Sequence, residues 1–393
     1  MIVRKHEKVM IQGITGKQGT FWTERMQEYG TNIVGGIVPK KGGQDHLGVP
    51  VFNNAFDAMK DVPFDVAGLF VPPLYAKSGA VDAIEAGVKK LVVLTEHIPV
   101  QDVMYFMAAA KEHGTTVIGP NTAGSATIDE CFLGFMPVFN DRIFKKGNVG
   151  VMSRSGSLAT LMCQNIVSAG YGQTAFLGIG GDPVLGTTTR DAIEALDNFE
   201  GTEVIVMVGE IGGSMEEDAA EYVATMDKPV VAFIAGGAAP PGKKMGHAGA
   251  IVMGDKGTYK SKADALSAAG VAILDTPMEI MTRNVKETRS WIQSTYDESM
   301  FYLRDSYNKL RAIMTVHVDD LGVTCRMVHR PHLGRIQPKR LFAHDVLAVR
   351  CGGERHFAMG EIRRGDDHRV DVGPALARHL ERVRCRFAQH SGH

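Results

Sequence analysis

The sequence has few of the features that mark secreted or nucleic-acid-binding proteins. It contains five cysteines among 393 residues, at positions 131, 163, 325, 351 and 385, and no two of them are spaced as Cys-x-x-Cys. A small, odd and scattered set argues against a disulfide framework and a cysteine zinc site, and suits a reducing compartment. The net charge is -1, so no overall basic field points to a nucleic-acid partner.

Long hydrophobic runs are also missing. No apolar run reaches the roughly 18 residues that a membrane helix needs, and the opening MIVRKHEK lacks the apolar centre of a signal peptide. We therefore expect no membrane partner and no targeting segment. The expected location is the cytoplasm, or the mitochondrial matrix if the source is eukaryotic.

The basic residues change type along the chain. Of 22 arginines, 6 lie in residues 1–286 and 16 in residues 287–393, whereas the lysines divide 19 to 2 in the opposite sense. Nine of the 14 histidines also fall in the last part. This switch predicts a separate origin for residues 286–393, an Arg/His-rich C-terminal extension to which we assign no role.

Short apolar runs alternate with helical patterns through the first 285 residues. Strands that alternate with helices predict parallel sheets and an α/β fold. We expect a Rossmann-like domain in residues 1–125 and a flavodoxin-like, doubly wound domain in residues 148–285. The segment between them, residues 126–147, is predicted to be a linker. Ligands of such sheets bind at the carboxyl ends of the strands.

A glycine-rich turn, GITGKQG at 13–19, follows the first predicted strand and opens the first helix. Free amides at a helix N-terminus favour phosphate. The dinucleotide fingerprint needs a glycine where Ile14 stands and an acidic residue further on, so NAD is disfavoured. A tight turn without a ligand remains the alternative. Lys41, after the next strand, could meet a second phosphate or be an ordinary exposed loop lysine.

Two turns of the second half carry polar groups. The segment SRSGS at 153–157 places Ser155 and Gly156 at a helix N-terminus, where an anion is favoured, although helix capping alone would explain it. Glu210 ends an apolar strand. Its carboxylate could orient an imidazole, or it could be a solvated glutamate.

The segment GHAGA at 246–250 places His247 among small residues. Small neighbours let the backbone approach the imidazole or a group attached to it. An imidazole that is largely neutral near pH 7 can act as a nucleophile, and the alternative is a structural histidine in a loop. Ser155, Asp182, Glu210 and His247 all follow strands, so we expect them to share one rim of a sheet.

Ordered motifs along the chain resemble a known family. They are QGITGKQGT (12–20), HLGVPVFN (46–53), SRSG (153–156), GIGGDP (178–183), GEIGGS (209–214) and GHAGAI (246–251). Over about residues 5–280 the chain resembles the alpha subunit of succinyl-CoA synthetase (succinate–CoA ligase). The resemblance implies a CoA-binding domain followed by a phosphohistidine ligase domain.

The resemblance also implies residue roles. His247 would carry a phosphoryl group, Glu210 would orient it, and Ser155 and Gly156 would face the phosphohistidine. CoA would be held by Thr15, Gly16, Lys17, Gln18, Lys41, Leu94, Thr95 and Glu96. ATP or GTP and Mg²⁺ would bind a partner, a beta subunit of ATP-grasp type, and no metal site is expected in this chain. The substrate would be a small carboxylic acid.

The chain departs from the family pattern near the expected acid site. Thr160 stands where the family has a tyrosine that touches the acid, and Leu161 follows where the family has a glutamate. The phosphohistidine motifs are intact. These changes leave malate or another acid as an alternative to succinate. A non-catalytic, CoA-binding regulatory protein is the second alternative.

Overall fold

A computed structural model describes residues 1–239, 246–252 and 256–281 with their side chains. Beyond residue 281 it describes the backbone of strands only. The chain divides into two units, Met1–Ile292 and Gln293–His393. In the part of the chain described, no helix combines the length and the apolar character needed to cross a membrane.

The first domain is a seven-stranded sheet with helices between its strands. Its elements are β1 (Val9–Gln12), α1 (Lys17–Tyr29), β2 (Ile33–Ile37), β3 (Asp45–His46), β4 (Val49–Phe52), α2 (Ala55–Asp61), β5 (Val66–Leu69), α3 (Pro73–Glu85), β6 (Lys90–Val93), α4 (Val100–His113) and β7 (Thr116–Ile118). The strand order is β3-β4-β2-β1-β5-β6-β7. All pairs are parallel except β3 with β4.

The strand order reverses beside β1, because the chain builds one side of the sheet from β2 to β4 and then returns to β5. Such a reversal opens a crevice at the carboxyl end of the central strand. The turn that follows β1 therefore lies at the position where ligands of doubly wound sheets bind. The four residues of β1 are all buried, which fixes this turn to the core.

The second domain repeats this plan. Its elements are β8 (Gly124–Thr127), β9 (Cys131–Gly134), β10 (Lys146–Ser153), α5 (Gly156–Ser168), β11 (Gln173–Gly178), α6 (Thr189–Asp197), β12 (Val204–Glu210), α7 (Met215–Val223), β13 (Val230–Ala235), α8 (Tyr259–Ala268), β14 (Ala272–Leu274) and a 3₁₀ helix at Pro277–Met281. The order is β14-β13-β12-β10-β11-β8-β9. Strands β10 to β14 pair in parallel, which confirms the predicted α/β class.

Residues 126–147 differ from the predicted linker. The segment contains the second half of β8 and all of β9, an antiparallel pair that extends the second sheet beside β11. Its side chains also contact the first domain. Thr31 Oγ1 donates to Phe132 O at 2.7 Å and Thr127 Oγ1 donates to Val3 O at 2.7 Å. Glycine, proline and lysine in this segment suggest a linker, but its buried apolar residues belong to a hydrophobic core that includes residues of both domains.

The helix after β1 begins earlier than the apolar pattern indicates. The pattern FWTERMQEY at 21–29 predicts a helix from residue 21, whereas α1 begins at Lys17 after an extended Gly16. Lys17 and Gln18 therefore belong to the first helical turn rather than to the preceding loop. Their amides are among the helical N–H groups that lack an intrahelical acceptor.

The second unit consists of antiparallel strands. They are β15 (Met300–Arg304), β16 (Leu310–Asp319), β17 (Gly322–His329), β18 (Leu347–Cys351), β19 (Arg355–Met359), β20 (Arg363–Arg364) and β21 (Val370–Asp371). Five of them form a sheet in the order β17-β16-β15-β18-β19, and the last two pair with each other. The unassigned extension, residues 286–393, otherwise lies outside the described residues.

Candidate active site

The carboxyl ends of the second domain's strands carry four of the predicted polar residues. Ser155 follows β10, Asp182 follows β11, Glu210 is the last residue of β12, and His247 lies in the connection between β13 and α8. The sheet order places β10 between β11 and β12, so the turns that follow these three strands are neighbours. The strand order also reverses here, which is where doubly wound sheets bind ligands.

His247 and Glu210 form a direct pair. Nδ1 of His247 lies 2.7 Å from Oε2 of Glu210. An ionised carboxylate only accepts hydrogen bonds, so Nδ1 carries the proton and donates it. The Nε2 atom of a neutral imidazole then keeps its lone pair. The His247 side chain is 28% exposed, against 7% for Glu210, so the nitrogen with the free lone pair belongs to the more accessible partner.

The electrostatic surroundings of His247 act in opposite directions. The hydrogen bond to Glu210 raises the pKa of His247 above its ordinary value. Burial and the nearby Arg154 guanidinium lower this pKa, whereas the charges of Glu210 and Asp182 raise it. The net effect is a raised pKa. Glu210 therefore both fixes the ring tautomer and stabilises positive charge on the ring.

Backbone contacts hold the histidine loop against the turn after β11. Gly249 N donates to Gly181 O at 3.1 Å, and Ala250 N donates to His247 O at 3.2 Å. Gly212 has a φ of +93°, and a β-carbon there would lie 2.2 Å from Gly249 O. The three glycine-rich segments thus approach one another at distances that side chains would prevent.

Three buried charged residues surround Glu210, and the sequence motifs did not assign them roles. Arg154 Nη2 lies 3.3 Å from Glu210 Oε1, and Arg154 Nη1 lies 3.7 Å from Glu216 Oε1. Lys262 donates to the Glu216 carboxylate. Arg154 belongs to the SRSG motif, so this motif is a sequence signal that could have identified it as part of the site. Glu216 belongs to α7 and Lys262 to α8. In such surface helices the sequence pattern predicts that a charged side chain faces solvent.

Ser155 and Gly156 begin α5. Ser155 is the N-cap residue, and its hydroxyl accepts a hydrogen bond from Leu158 N at 3.4 Å. Ser155 is buried beside Arg154, and Gly156 opens the helix. A serine at this position satisfies one of the helix's free amides and leaves the others to an anion. The structure thus gives both residues the helix-terminal position that the sequence predicts.

Thr160 lies one turn further along α5. Its hydroxyl donates to Gly156 O at 2.9 Å, within the helix, and also lies 3.9 Å from Met136 Sδ. The next residue, Leu161, is 40% exposed. The Thr160 hydroxyl is therefore already engaged by its own helix.

The glycine-rich turn of the first domain forms a second polar group. Lys41 Nζ donates to Thr15 Oγ1 at 2.9 Å, which draws the lysine to the loop before α1. Gly13 has a φ of +80°, and a β-carbon there would lie 2.4 Å from Phe70 O. Gly16, Lys17 and Gln18 follow at the N-terminus of α1, although Gln18 Oε1 also accepts from Trp22 Nε1 at 3.1 Å. Amides and an ammonium group at one turn fit a phosphate-bearing ligand.

The predicted ligand residues after β6 have different environments. The Leu94 side chain is 3% exposed and packs in the core, whereas that of Glu96 is 66% exposed. Thr95 Oγ1 donates to Val71 O at 2.8 Å, and Thr95 O accepts from Asn121 N at 3.0 Å.

Asn121 connects this region to the histidine site. Its Nδ2 donates to Oδ1 of Asp182, at 2.9 Å. Asp182 follows Gly181, the residue whose carbonyl holds the histidine loop. A short chain of hydrogen bonds therefore runs from the β6 strand end in the first domain to the turn beside His247 in the second.

Comparison with known proteins identifies the family. Residues 4–97 match the CoA binding domain, and residues 152–272 match the CoA-ligase family. The chain is 46% identical over 280 residues to the succinate–CoA ligase [ADP-forming] subunit alpha 2 of Archaeoglobus fulgidus, which covers 71% of this chain and 96% of that protein. This chain belongs to the acid–CoA ligase alpha-subunit family. The two domains and the resemblance predicted from the motifs are confirmed.

Other relatives share this similarity. The succinate–CoA ligase [ADP-forming] subunit alpha of Methanothermobacter thermautotrophicus is 46% identical over 281 residues, covering 72% of this chain and 94% of that protein. The ADP-forming sulfoacetate-CoA ligase subunit SauD of Bilophila wadsworthia is 43% identical over 282 residues, covering 71% and 96% respectively. The alternative of a non-catalytic regulatory protein is not favoured, because these relatives are ligase subunits.

Solved structures share the fold. ATP citrate lyase from Methanothrix soehngenii, determined with citrate and coenzyme A, has a TM-score of 0.65 and 22% identity, covering 76% of this chain and 53% of that chain. This chain therefore spans about half the length of that lyase. An acetyl-coenzyme A synthetase from Ca. Korarchaeum cryptofilum has a TM-score of 0.57 and 21% identity, covering 70% and 59%.

Family membership fixes the general activity. The chain is part of an acid–thiol ligase that uses coenzyme A, and an alpha subunit implies a beta partner. A binding site for the nucleotide and Mg²⁺ on that partner is consistent with the family. Within the described ranges, no group of three or more His, Cys, Asp or Glu residues is arranged to hold a metal ion.

Proposed function

We propose that this chain carries a phosphoryl group on Nε2 of His247 during nucleoside-diphosphate-forming synthesis of an acyl-CoA. The observation that carries the proposal is the 2.7 Å contact between His247 Nδ1 and Glu210 Oε2. It holds the proton on Nδ1 and leaves the Nε2 lone pair available. The expected beta partner, of ATP-grasp type, would hold ATP or GTP with Mg²⁺.

The first step transfers the γ-phosphoryl group of the nucleotide to His247. The Nε2 lone pair forms a bond to phosphorus, the bond to the β-phosphate oxygen breaks, and the nucleoside diphosphate leaves. The ring gains positive charge, which the Glu210 carboxylate stabilises through Nδ1–H. Ser155 and Gly156, at the N-terminus of α5, supply a helix end that favours the added phosphate.

In the next steps a carboxylate oxygen of the acid attacks phosphorus, the bond to Nε2 breaks, and neutral His247 is regenerated. The CoA sulfur then attacks the carbonyl carbon of the acyl phosphate. Phosphate leaves and takes up the thiol proton, and the thioester remains. Thr15, Gly16 and Lys41 at the first-domain turn would hold CoA phosphates, together with Lys17 and Gln18. Leu94, Thr95 and Glu96 would border the remainder of CoA.

The acid is proposed to be a small carboxylate that bears a second anionic group. Relatives at similar identity are named for succinate and for sulfoacetate, which share this property. Thr160 and Leu161 stand where the family pattern has a tyrosine and a glutamate. These two positions would therefore influence which of these acids the enzyme accepts. Malate also belongs to this class.

The test uses the chain together with its co-encoded beta partner and [γ-³²P]ATP or GTP. We expect label that is acid-labile and base-stable, that is discharged by CoA with succinate, malate or sulfoacetate but not with acetate, and that is lost in His247→Asn. Persistence of the label in that variant would overturn the phosphohistidine route. Discharge by acetate at the same rate would overturn the proposed substrate class.

A further inference from the structure

The reaction steps give no role to the buried ammonium group of Lys262. Lys262, on α8, has no exposed surface. Its ammonium group donates to Glu210 O at 2.9 Å, to Gly212 O at 2.8 Å and to the Glu216 carboxylate. All three donors of the ammonium are thus used. Buried lysines are rare unless they are paired in this way.

Two of these bonds reach the end of β12, the strand that carries Glu210. Glu210 closes β12, and Gly212 lies in the turn behind it, where its backbone has a φ of +93°. Lys262 therefore fixes the backbone from which the Glu210 side chain extends towards His247. The third bond neutralises Glu216, whose other oxygen, Oε1, accepts from Glu210 N at 3.3 Å.

The Arg154 guanidinium lies between two carboxylates. Nη2 is 3.3 Å from Glu210 Oε1, and Nη1 is 3.7 Å from Glu216 Oε1 while it donates to Gly212 O at 3.2 Å. Neither ion pair is short. The carboxylate that has no other cation will attract the guanidinium more strongly. Because Lys262 neutralises Glu216, Arg154 stays with Glu210.

We propose that Lys262 is a positioning residue for the phosphoryl-carrying histidine, because it fixes the strand end of Glu210 and keeps Arg154 on the Glu210 carboxylate. This inference rests on the proposed function for its catalytic consequence. Lys262 touches neither His247 nor a substrate, so it acts only through Glu210 and Arg154.

Charged groups from five elements act on His247 in this account. They are Glu210 at the end of β12, Arg154 after β10, Asp182 after β11, Glu216 on α7 and Lys262 on α8. Loss of the Lys262 charge removes the ammonium partner of Glu216 and draws Arg154 away from Glu210 towards Glu216. The field at His247 becomes more negative. Loss of the Glu216 charge has the opposite effect, because both cations then act on Glu210.

The test compares Lys262→Met, Glu216→Gln and the double variant in the assembled complex with the beta partner. His247 accepts a phosphoryl group only when Nε2 is unprotonated, so the labelling rate rises with pH through the pKa of His247. We expect the midpoint to move upward by about one unit in Lys262→Met and downward by about one unit in Glu216→Gln. The double variant restores the charge balance, so its midpoint lies between them.

The double variant isolates the effect on geometry. It lacks the donors to Glu210 O and Gly212 O, so we expect its labelling rate on the pH plateau to fall about tenfold, as for other outer-shell groups that orient a histidine. Circular dichroism checks folding. Lys260→Met is the matched control, because Lys260 lies on the same helix with its side chain 83% exposed and should change neither quantity.

Midpoints that stay at the parental value, or move in the same direction in both single variants, would overturn the inference. If the single variants do not fold, a double variant that labels at the parental rate would overturn it. Histidine-labelled NMR titration, with His247→Asn to assign the signal, follows the same pKa shifts without any nucleotide. Absence of label in the parent complex would count against the proposed function alone.

Discussion

Gly181 lies directly against the imidazole of His247. A β-carbon on Gly181 would stand 2.3 Å from both Cγ and Nδ1 of the ring. No side-chain β-carbon fits at that distance. The turn after β11 therefore fixes the plane of the ring from one side, while Glu210 fixes its rotation through Nδ1. Absence of a side chain at Gly181 is as much part of the site as the carboxylate of Glu210.

Gly181→Ala is expected to displace the His247 ring. The added methyl group cannot coexist with the ring position that gives the Glu210 hydrogen bond. Labelling by nucleoside triphosphate should fall by at least about 100-fold, because misplacement of a reacting group by about 1 Å has effects of this size. The measurement is the rate of acid-labile ³²P incorporation in the complex.

Gly114→Ala is the control for the general effect of a glycine replacement. Gly114 ends α4 with a φ of +70°, and a β-carbon there meets nothing within 4 Å. We expect a loss of about 1 kcal/mol in the free energy of unfolding with unchanged labelling. Normal labelling in Gly181→Ala would show that the ring can leave the observed position without consequence.

Glu210→Gln is expected to shift the pH profile to lower pH. The hydrogen bond to Glu210 is the largest cause of the raised pKa of His247, and an uncharged amide weakens this bond and removes the negative charge. The labelling midpoint therefore falls. The plateau rate also falls, by about 100-fold or more, because the amide no longer stabilises the charged phosphoimidazole or enforces one tautomer. Glu221→Gln, on the exposed face of α7, should leave both values unchanged.

The same pair links stability to pH. Because the folded-state pKa of His247 lies above its ordinary value of 6.5, pairing with Glu210 stabilises the fold fully below that value. The contribution is lost as the pH rises through the folded-state pKa. Thermal unfolding should therefore separate parent from His247→Asn more at pH 5.5 than at pH 9. A difference that grows with pH would contradict the raised pKa.

The sequence motifs predict the His247–Glu210 pair but not the residues that support it. His247 and Glu210 stand in motifs where small residues and a strand end make their chemistry visible. The steric role of Gly181 depends on a residue 66 positions away in the chain, and glycine in a turn has many explanations. Lys262 is on α8, and the spacing of apolar residues in this helix gives no sign that its ammonium group donates to the backbone at the end of β12.

The region between the domains shows a second way in which the structure could not be predicted from the sequence. Residues 126–147 contain glycine, proline and lysine, which favour a linker. The short strands β8 and β9 are too brief for periodicity to detect, and their burial comes from contacts with both domains. The roles of Ser155, Gly156 and Thr160 remain predictions, because the structure gives their positions and not their ligands.

Lys41→Ala is expected to weaken CoA binding. Lys41 Nζ lies 2.9 Å from Thr15 Oγ1, at the turn that precedes the free amides of α1. Loss of one charged hydrogen-bond donor to a phosphate should raise the KM for CoA about tenfold with little change in kcat. Lys111→Ala, an exposed lysine in the last turn of α4, is the matched charge control. An equal rise in the KM for CoA in both variants would indicate a general effect of positive charge rather than a phosphate contact at Lys41.

Cys131 and Cys163 are expected to resist alkylation in the folded complex. Burial raises the pKa of Cys131 to about 12, and burial also raises the pKa of the Cys163 thiol. The thiolate is the reactive form, so iodoacetamide at pH 8 should leave both residues unmodified. Peptide mapping by mass spectrometry, before and after denaturation in guanidinium, follows the modification of these two residues. Modification of either one in the folded complex would contradict its burial.

A chain that ends at residue 292 is expected to keep the ligase activity. The first unit ends there, and both domains of the site lie within it. The match to the Archaeoglobus fulgidus subunit covers 96% of that protein with only 71% of this chain, so the relative performs its function without a counterpart of the extension. Histidine labelling, CoA-dependent discharge and association with the beta partner should therefore equal those of the full chain. A shortened chain that folds and binds its partner but no longer transfers phosphate to the acid would show that the extension contributes to the reaction.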